Sequence, residues 1–248
     1  MVKSDLEVHF FHGFLGRPDD WQSTLTFMPH FLKSANIFQH DLLKDCQNLE
    51  PLTFENWARE IEIPWRSSAE SMQAKSPQRI LIGYSLGGRL CLHLNPQFYD
   101  YLFLIAVHPG LQSGFAEREQ QDQMWAETLI AEDADSWLQR WNKQMVFGQD
   151  RVRPKRTIQG DQVRWSKILK CFSLSQQSCK EQMILAHKDK IHWFIGEKDL
   201  KYQTLKGPMK RLLGEERIVQ IPDAGHGVLF DQPKLLAQAI FERCSDVV

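Results

Sequence analysis

The sequence predicts an α/β fold built on a mostly parallel sheet, and three observations carry that prediction. Short apolar runs alternate with longer segments of helical character, the pattern of strands joined by crossover helices. The run Tyr101-Leu102-Phe103-Leu104-Ile105-Ala106-Val107 has no polar alternation, as suits a parallel strand covered on both faces. The third observation is Gly83-Tyr84-Ser85-Leu86-Gly87-Gly88, a glycine-flanked serine directly after the apolar run Arg79–Ile82 and leading into a helix-like segment.

Taken in order, Leu6–Phe11 reads as the first strand, succeeded at once by His12-Gly13-Phe14-Leu15-Gly16. Ala35–His40 is a second strand, ending at Asp41. Thr53–Arg66 reads as a helix, with Phe54, Trp57, Ile61 and Trp65 at helical spacing. Arg79–Ile82 is the strand before the serine, and Tyr101–Val107 the next, ending in His108-Pro109-Gly110. From Ala116 to Phe147 there is neither Gly nor Pro, and Trp137, Trp141 and Met145 fall on one helical face. Residues 162–185 also read as helical. Residues 112–186 are therefore expected to form a helical insertion, with 1–111 and 187–248 making the core of a single domain. Strands resume with Ile191–Ile195, before Gly196-Glu197-Lys198-Asp199, and with Arg217–Ile221, before Pro222-Asp223-Ala224-Gly225-His226-Gly227. A closing helix of about ten residues holds Leu235, Leu236 and Ile240.

Bulk properties exclude several function classes. A chain of 248 residues is long enough for one large core. Its net charge of −1 provides no field to recruit nucleic acid or an anionic membrane. Met1-Val2-Lys3-Ser4-Asp5 lacks the apolar stretch of a signal peptide, and no apolar run is long enough to span a bilayer, so a cytoplasmic location is expected. The cysteines (Cys46, Cys91, Cys171, Cys179, Cys244) are odd in number and form no CxxC pair. That argues against a disulfide framework or a zinc site and points to a reducing compartment.

The chemistry-bearing residues each sit just past the end of a predicted strand, the edge where open α/β sheets gather ligands. A serine hydroxyl becomes useful as base or nucleophile only when an imidazole takes its proton. The imidazole needs a carboxylate to fix its tautomer. Ser85, Asp199 and His226 occur in the chain order of an α/β-hydrolase fold, and Gly-x-Ser-x-Gly between strand and helix is its nucleophile elbow. Glu197 and Asp223 are the competing acids. The amides of Phe14 and Leu86 are the expected oxyanion donors. His12 and His108 read as structural loop histidines. Arg89, one helical turn past Ser85, is expected at the pocket wall. Arg118 and the basic run Arg151, Arg153, Lys155 and Arg156 lie in the insertion. Arginines over such a site suit a substrate with several carboxylates. Trp125, Trp137, Trp141 and Trp165, with the basic run, predict a cap over Ser85. A full α/β-hydrolase sheet starts with an antiparallel hairpin, and with five residues before the first strand that hairpin is expected to be missing.

The chain resembles the 2-succinyl-6-hydroxy-2,4-cyclohexadiene-1-carboxylate synthases, α/β-hydrolase-fold enzymes of menaquinone or phylloquinone biosynthesis. The resemblance runs through His12–Gly16, Gly83–Arg89, His108-Pro109-Gly110-Leu111, Ala116-Glu117-Arg118, Trp125, Trp137 to Trp141, Phe172-Ser173-Leu174, Gly196–Tyr202 and Ala224-Gly225-His226. It implies elimination of pyruvate from 2-succinyl-5-enolpyruvyl-6-hydroxy-3-cyclohexene-1-carboxylate, with Ser85 made basic by His226 and Asp199. It also implies that Tyr84, Arg89, Arg118 and Trp141 bind the small-molecule tricarboxylate substrate, with Arg156, or alternatively Arg153, as a further arginine. Lys201 matches a lysine after the triad acid. No metal, organic cofactor or obligatory protein partner is implied. One departure is Asp41-Leu42-Leu43-Lys44-Asp45, which lacks the Pro-Gly turn that many hydrolases carry there.

Two other readings compete. A carboxylesterase or C–C bond hydrolase would use Ser85 as a covalent nucleophile, and a hydrolase-fold binding protein would use no triad at all. The discriminator is the pocket: arginines favour elimination from a polyanion, an apolar lining favours an ester.

Overall fold

The computed structural model describes residues 6–28, 35–70, 77–144 and 154–244, with the backbone alone for 68–70. Met145, Phe147, Arg151 and Arg153 lie outside the described residues. Six strands form one sheet: β1 (Leu6–Phe11), β2 (Asn36–His40), β3 (Gln78–Tyr84), β4 (Tyr101–Ile105), β5 (Ile191–Gly196) and β6 (Ile218–Ile221). Their order is β2-β1-β3-β4-β5-β6, and each described pair is parallel.

The period of two along each strand divides the core into two layers. Leu81, Leu102, Leu104, Trp193 and Ile195 face one side, where they meet Phe54, Trp57, Leu90 and Met209. Ile80, Ile82, Phe103, Ile105 and Phe194 face the other, against Trp21, Leu236, Ala237 and Ile240. Both faces are covered, which is why the central strands read as unbroken apolar runs.

Two helical details follow from local chemistry. The glycine- and proline-free stretch after Ala116 is not one helix but two, Phe115–Ala131 and Ala134–Asn142. The break falls at Asp133, whose carboxylate accepts the Ser136 amide at 2.9 Å and restarts the helix as an N-cap. A helix also forms over Lys206–Leu213. Pro208 lies in the first turn, where its missing N–H has no intrahelical partner to lose.

Between β4 and β5 the described chain is helical: Phe115–Ala131, Ala134–Asn142, Gln162–Cys171 and Glu181–Ala186, with a short 3₁₀ turn at Leu174–Gln176. Trp137 and Trp141 stack at 5.0 Å, and Trp125 meets both edge-on at 5.4 and 5.2 Å. The Trp137 indole donates to the Trp125 carbonyl and the Thr128 hydroxyl, so this aromatic block is both packed and hydrogen-bonded. Among the described residues, no helix is long and apolar enough to cross a membrane.

The turn after β3 is a close approach of backbone to backbone. A Cβ on Gly83 would lie 2.4 Å from the Gly88 Cα, and one on Gly88 would lie 2.2 Å from the Val107 side chain. Both contacts are shorter than atoms can tolerate without displacing backbone or core. Gly83→Ala is therefore expected to destabilise the protein by about 1–3 kcal/mol, the usual cost of overpacking, as read from urea unfolding. An unchanged urea midpoint would contradict this account of the turn.

Candidate active site

Ser85 comes directly after β3 and starts the six-residue helix Leu86–Cys91. Its backbone is held at φ 50°, ψ −113°, a conformation that non-glycine residues avoid. The Ser85 amide donates to the Ile105 carbonyl at the end of β4 (2.9 Å), and the Arg89 amide donates to the Ser85 carbonyl (3.0 Å). With glycine on both sides, these bonds hold the turn and leave the Ser85 hydroxyl at the carboxyl edge of the sheet. Leu15, Ala106 and Asp223 also have positive φ, and each lies just past β1, β4 or β6. Backbone strain is thus gathered at the same edge.

Asp199 and His226 come from the loops after β5 and β6. These loops extend the ladder past the strands: the Glu197 amide donates to the Ile221 carbonyl and the Lys198 amide to the Ala224 carbonyl (2.9 and 2.8 Å). Gly196 lies so close to Gly225 that a Cβ would sit 2.2 Å from its carbonyl oxygen. The result is an ordered chain. His226 Nδ1 donates to Asp199 Oδ2 at 2.8 Å, and the Ser85 hydroxyl donates to His226 Nε2 at 3.1 Å. The donor assignment comes from the carboxylate, which can only accept. Asp199 is 1% exposed, and its second oxygen accepts the Tyr202 amide. The competing acids face elsewhere. Glu197 accepts the Asp223 amide at 3.0 Å, and Asp223 pairs with Lys198 at 2.6 Å, both at the surface.

His12 is fully buried. Its Nδ1 donates to the Gly13 carbonyl at 2.8 Å and its Nε2 accepts the Leu42 amide at 3.2 Å, which requires the neutral ring. Burial lowers its pKa, in keeping with that role. His12 therefore shapes the loop that carries Phe14. The Leu42 amide reaches it from a short helix, Leu42–Asp45, in the segment where the Pro-Gly turn is absent. The Phe14 ring is held between Trp141 (5.1 Å) and Trp165 (5.3 Å) of the insertion. His108 accepts the Gly110 amide through Nδ1, and its pKa falls to about 4 because of burial and then the nearby Arg89 and Arg118.

The triad opens into a cleft of about 930 Å³, its mouth included. Phe14, Tyr84, Leu86, Arg89, Lys201 and Tyr202 line it from the core side, and Arg118, Asp122, Trp125, Trp141 and Phe172 from the insertion. Three cations thus face the cleft. Arg118 Nε donates to Asp122 at 2.8 Å, and Asp122 also accepts the Ser173 hydroxyl at 2.7 Å. Burial, and then Arg118, lower the pKa of Lys201. Arg156 instead pairs with both oxygens of Asp20, at 2.6 and 2.7 Å. It lines a smaller adjacent cavity that shares Phe14, Tyr84 and Trp141 with the cleft. Sequence reasoning missed Tyr202, Asp122 and Gln177. Asp122 had a signal, the i,i+4 spacing from Arg118; Gln177, which bonds Arg89 across 88 residues, had none.

Comparison with known proteins bears on the family and fold. Residues 10–239 match the Alpha/beta hydrolase family. A putative 2-succinyl-6-hydroxy-2,4-cyclohexadiene-1-carboxylate synthase from Haemophilus influenzae is 28% identical, over 96% of this chain and 97% of that protein. The 2-succinyl-6-hydroxy-2,4-cyclohexadiene-1-carboxylate synthase of Enterobacter sp. is 26% identical, over 93% of this chain and 88% of its own length. The structure of MenH from S. aureus superposes with a TM-score of 0.79 at 17% identity, covering 99% of this chain and 95% of that one. On the family match over nearly its whole length, and with a serine elbow on a parallel sheet, this chain belongs to the alpha/beta hydrolase family.

Proposed function

We propose that this enzyme is a carbon–oxygen lyase that eliminates pyruvate from 2-succinyl-5-enolpyruvyl-6-hydroxy-3-cyclohexene-1-carboxylate to give 2-succinyl-6-hydroxy-2,4-cyclohexadiene-1-carboxylate. The observation that carries the reading is a hydrogen-bonded Ser85–His226–Asp199 chain opening into a cleft faced by Arg89, Arg118 and Lys201. An apolar ester has no use for three cations there; a substrate with three carboxylates does. The full-length similarity to synthases of this name supports the same reading.

The chemistry is dictated by the substrate. The ring carbon bearing the succinyl group is next to a ketone, so its C–H is the acidic one. His226, held in one tautomer by Asp199, accepts the Ser85 proton, and Ser85 Oγ removes the ring proton. The electron pair moves onto the succinyl oxygen as an enolate. The proposed donors for that charge are the Phe14 and Leu86 amides, of residues that line the cleft with Ser85. The electrons then return through the ring double bond, the C–O bond to the enolpyruvyl group breaks, and pyruvate leaves as its enolate. His226 holds the proton that can complete it. In this role Ser85 is a base and forms no acyl intermediate.

Tyr84 and Trp141 supply ring contacts to the substrate, while Arg89 and Arg118 supply charge. Arg156 is proposed to act from the adjacent cavity through its contact with Asp20, which also accepts the Arg17 amide behind the Phe14 loop. Residues 112–186 are read as a cap whose tryptophans close the cleft over Ser85.

Pyruvate release from the enzymatically prepared cyclohexene substrate tests the proposal, with a p-nitrophenyl ester run in parallel. Ser85→Ala is expected to lower pyruvate release by ~10²–10⁴-fold, the usual worth of a positioned base. Ester turnover without pyruvate release above the spontaneous rate would move the chain to the esterases. Arg89→Ala is expected to lower kcat/KM by about 10–100-fold, matching the loss of a hydrogen bond to a charged group. Full activity in that variant would refute carboxylate binding by Arg89.

A further inference from the structure

The two guanidinium groups at the cleft are electrostatically unequal. Arg118 is opposed by the buried carboxylate of Asp122 at 2.8 Å. Arg89 is 8% exposed, and its protein partners are neutral: Nε donates to Gln177 Oε1 at 2.5 Å and Nη2 to the Phe172 carbonyl at 2.8 Å. Its Cζ also lies over the Phe54 ring at 5.4 Å. Among the described residues, no carboxylate lies within ion-pairing distance of it. A buried charge without a counterion is costly unless something supplies one. Burial lowers the Arg89 pKa to about 10, with Arg118 the next cause, so the protein under-compensates its charge.

Gln177 is the residue that keeps it so. It is 2% exposed, and its amide orientation is fixed at both ends. Arg89 can only donate, so it takes the Gln177 oxygen, and the Gln177 nitrogen donates to the His108 carbonyl at 3.3 Å. A glutamate here would hold the guanidinium equally well and cancel its charge. A glutamine holds it and leaves the charge for a ligand.

We propose that Gln177 is a positioning residue that fixes Arg89 through a neutral contact, making Arg89 rather than Arg118 the principal carboxylate anchor of the cleft. The inference rests on the reading that the cleft binds carboxylates. The remaining Arg89 donors then meet one substrate carboxylate, while the Arg118–Asp122 pair gives the opposite wall polar contacts with little net charge.

The test compares Gln177→Glu with Gln177→Met. A purely structural role would favour Glu, which keeps the acceptor for Arg89, over Met, which removes it. The proposal reverses that order. Binding is read by tryptophan fluorescence with 2-succinylbenzoate, an aromatic dicarboxylate mimic of the product, and pyruvate release is measured alongside. Gln177→Glu is expected to weaken binding by at least about 10-fold and to raise KM more than it lowers kcat, in line with the worth of a charge-assisted hydrogen bond. Gln177→Met is expected to weaken it by only about 3-fold, since charge remains and fixation is lost. Equal or tighter binding by Gln177→Glu than by Gln177→Met overturns the proposal. If Gln177→Glu does not fold, wild-type affinity in Gln177→Met overturns it. Dianion binding by the wild-type enzyme without pyruvate release would defeat the proposed reaction and leave this inference standing. Absence of dianion binding would defeat the inference.

Discussion

The close contact between Gly83 and Gly88 is the constraint on which the site depends. It lets the chain reverse from β3 into the helix Leu86–Cys91 within one residue, and that residue is Ser85. The φ of 50° at Ser85 carries strain of about 1–3 kcal/mol. The hydrogen bond from the Ser85 amide to the Ile105 carbonyl and the packing of Val107 against Gly88 hold it there. Because β4 and the residues just past it supply both, the position of the serine is set by a neighbouring strand rather than by its own loop. The same sheet edge carries the loops of Asp199 and His226, so one rigid platform fixes all three groups.

Charge in the cleft is arranged by what each cation has already met. Asp122 occupies Arg118, Asp20 occupies Arg156, and among the described residues the hydrogen-bond partners of Arg89 are neutral. A count of arginines alone would treat these as equivalent. Their burial and partners separate the group proposed to bind an anion from one that holds the protein together. The Arg156–Asp20 pair belongs in large part to the second kind, since Asp20 also anchors the chain at Arg17, just past the Phe14 loop.

The insertion contributes more than a wall. Trp141 and Trp165 grip the Phe14 ring, and Trp141 belongs to the same aromatic block as Trp125 and Trp137. The backbone amide proposed as an oxyanion donor is therefore positioned from two sides. His12 fixes the loop from the core, and the tryptophans fix its side chain from above. Placement of the insertion and geometry of the oxyanion site are in this way physically coupled.

The sequence by itself determined the parallel sheet, the elbow and the order Ser85, Asp199, His226. Each of these is encoded locally, by apolar runs that suit a sheet covered on both faces and by glycines at a turn that admits no Cβ. The sequence favoured Asp199 and kept Glu197 and Asp223 as competing acids, because all three lie in the loops just past β5 and β6. Only the tertiary structure selects Asp199, by turning Glu197 and Asp223 to the surface. It alone splits the long helical stretch at Asp133, where a local cap competes with helix continuation. It alone pairs Arg89 with Gln177 and Arg156 with Asp20, across 88 and 136 residues. Such contacts have no local signature, because the partner of a side chain is chosen by which distant segments pack beside it.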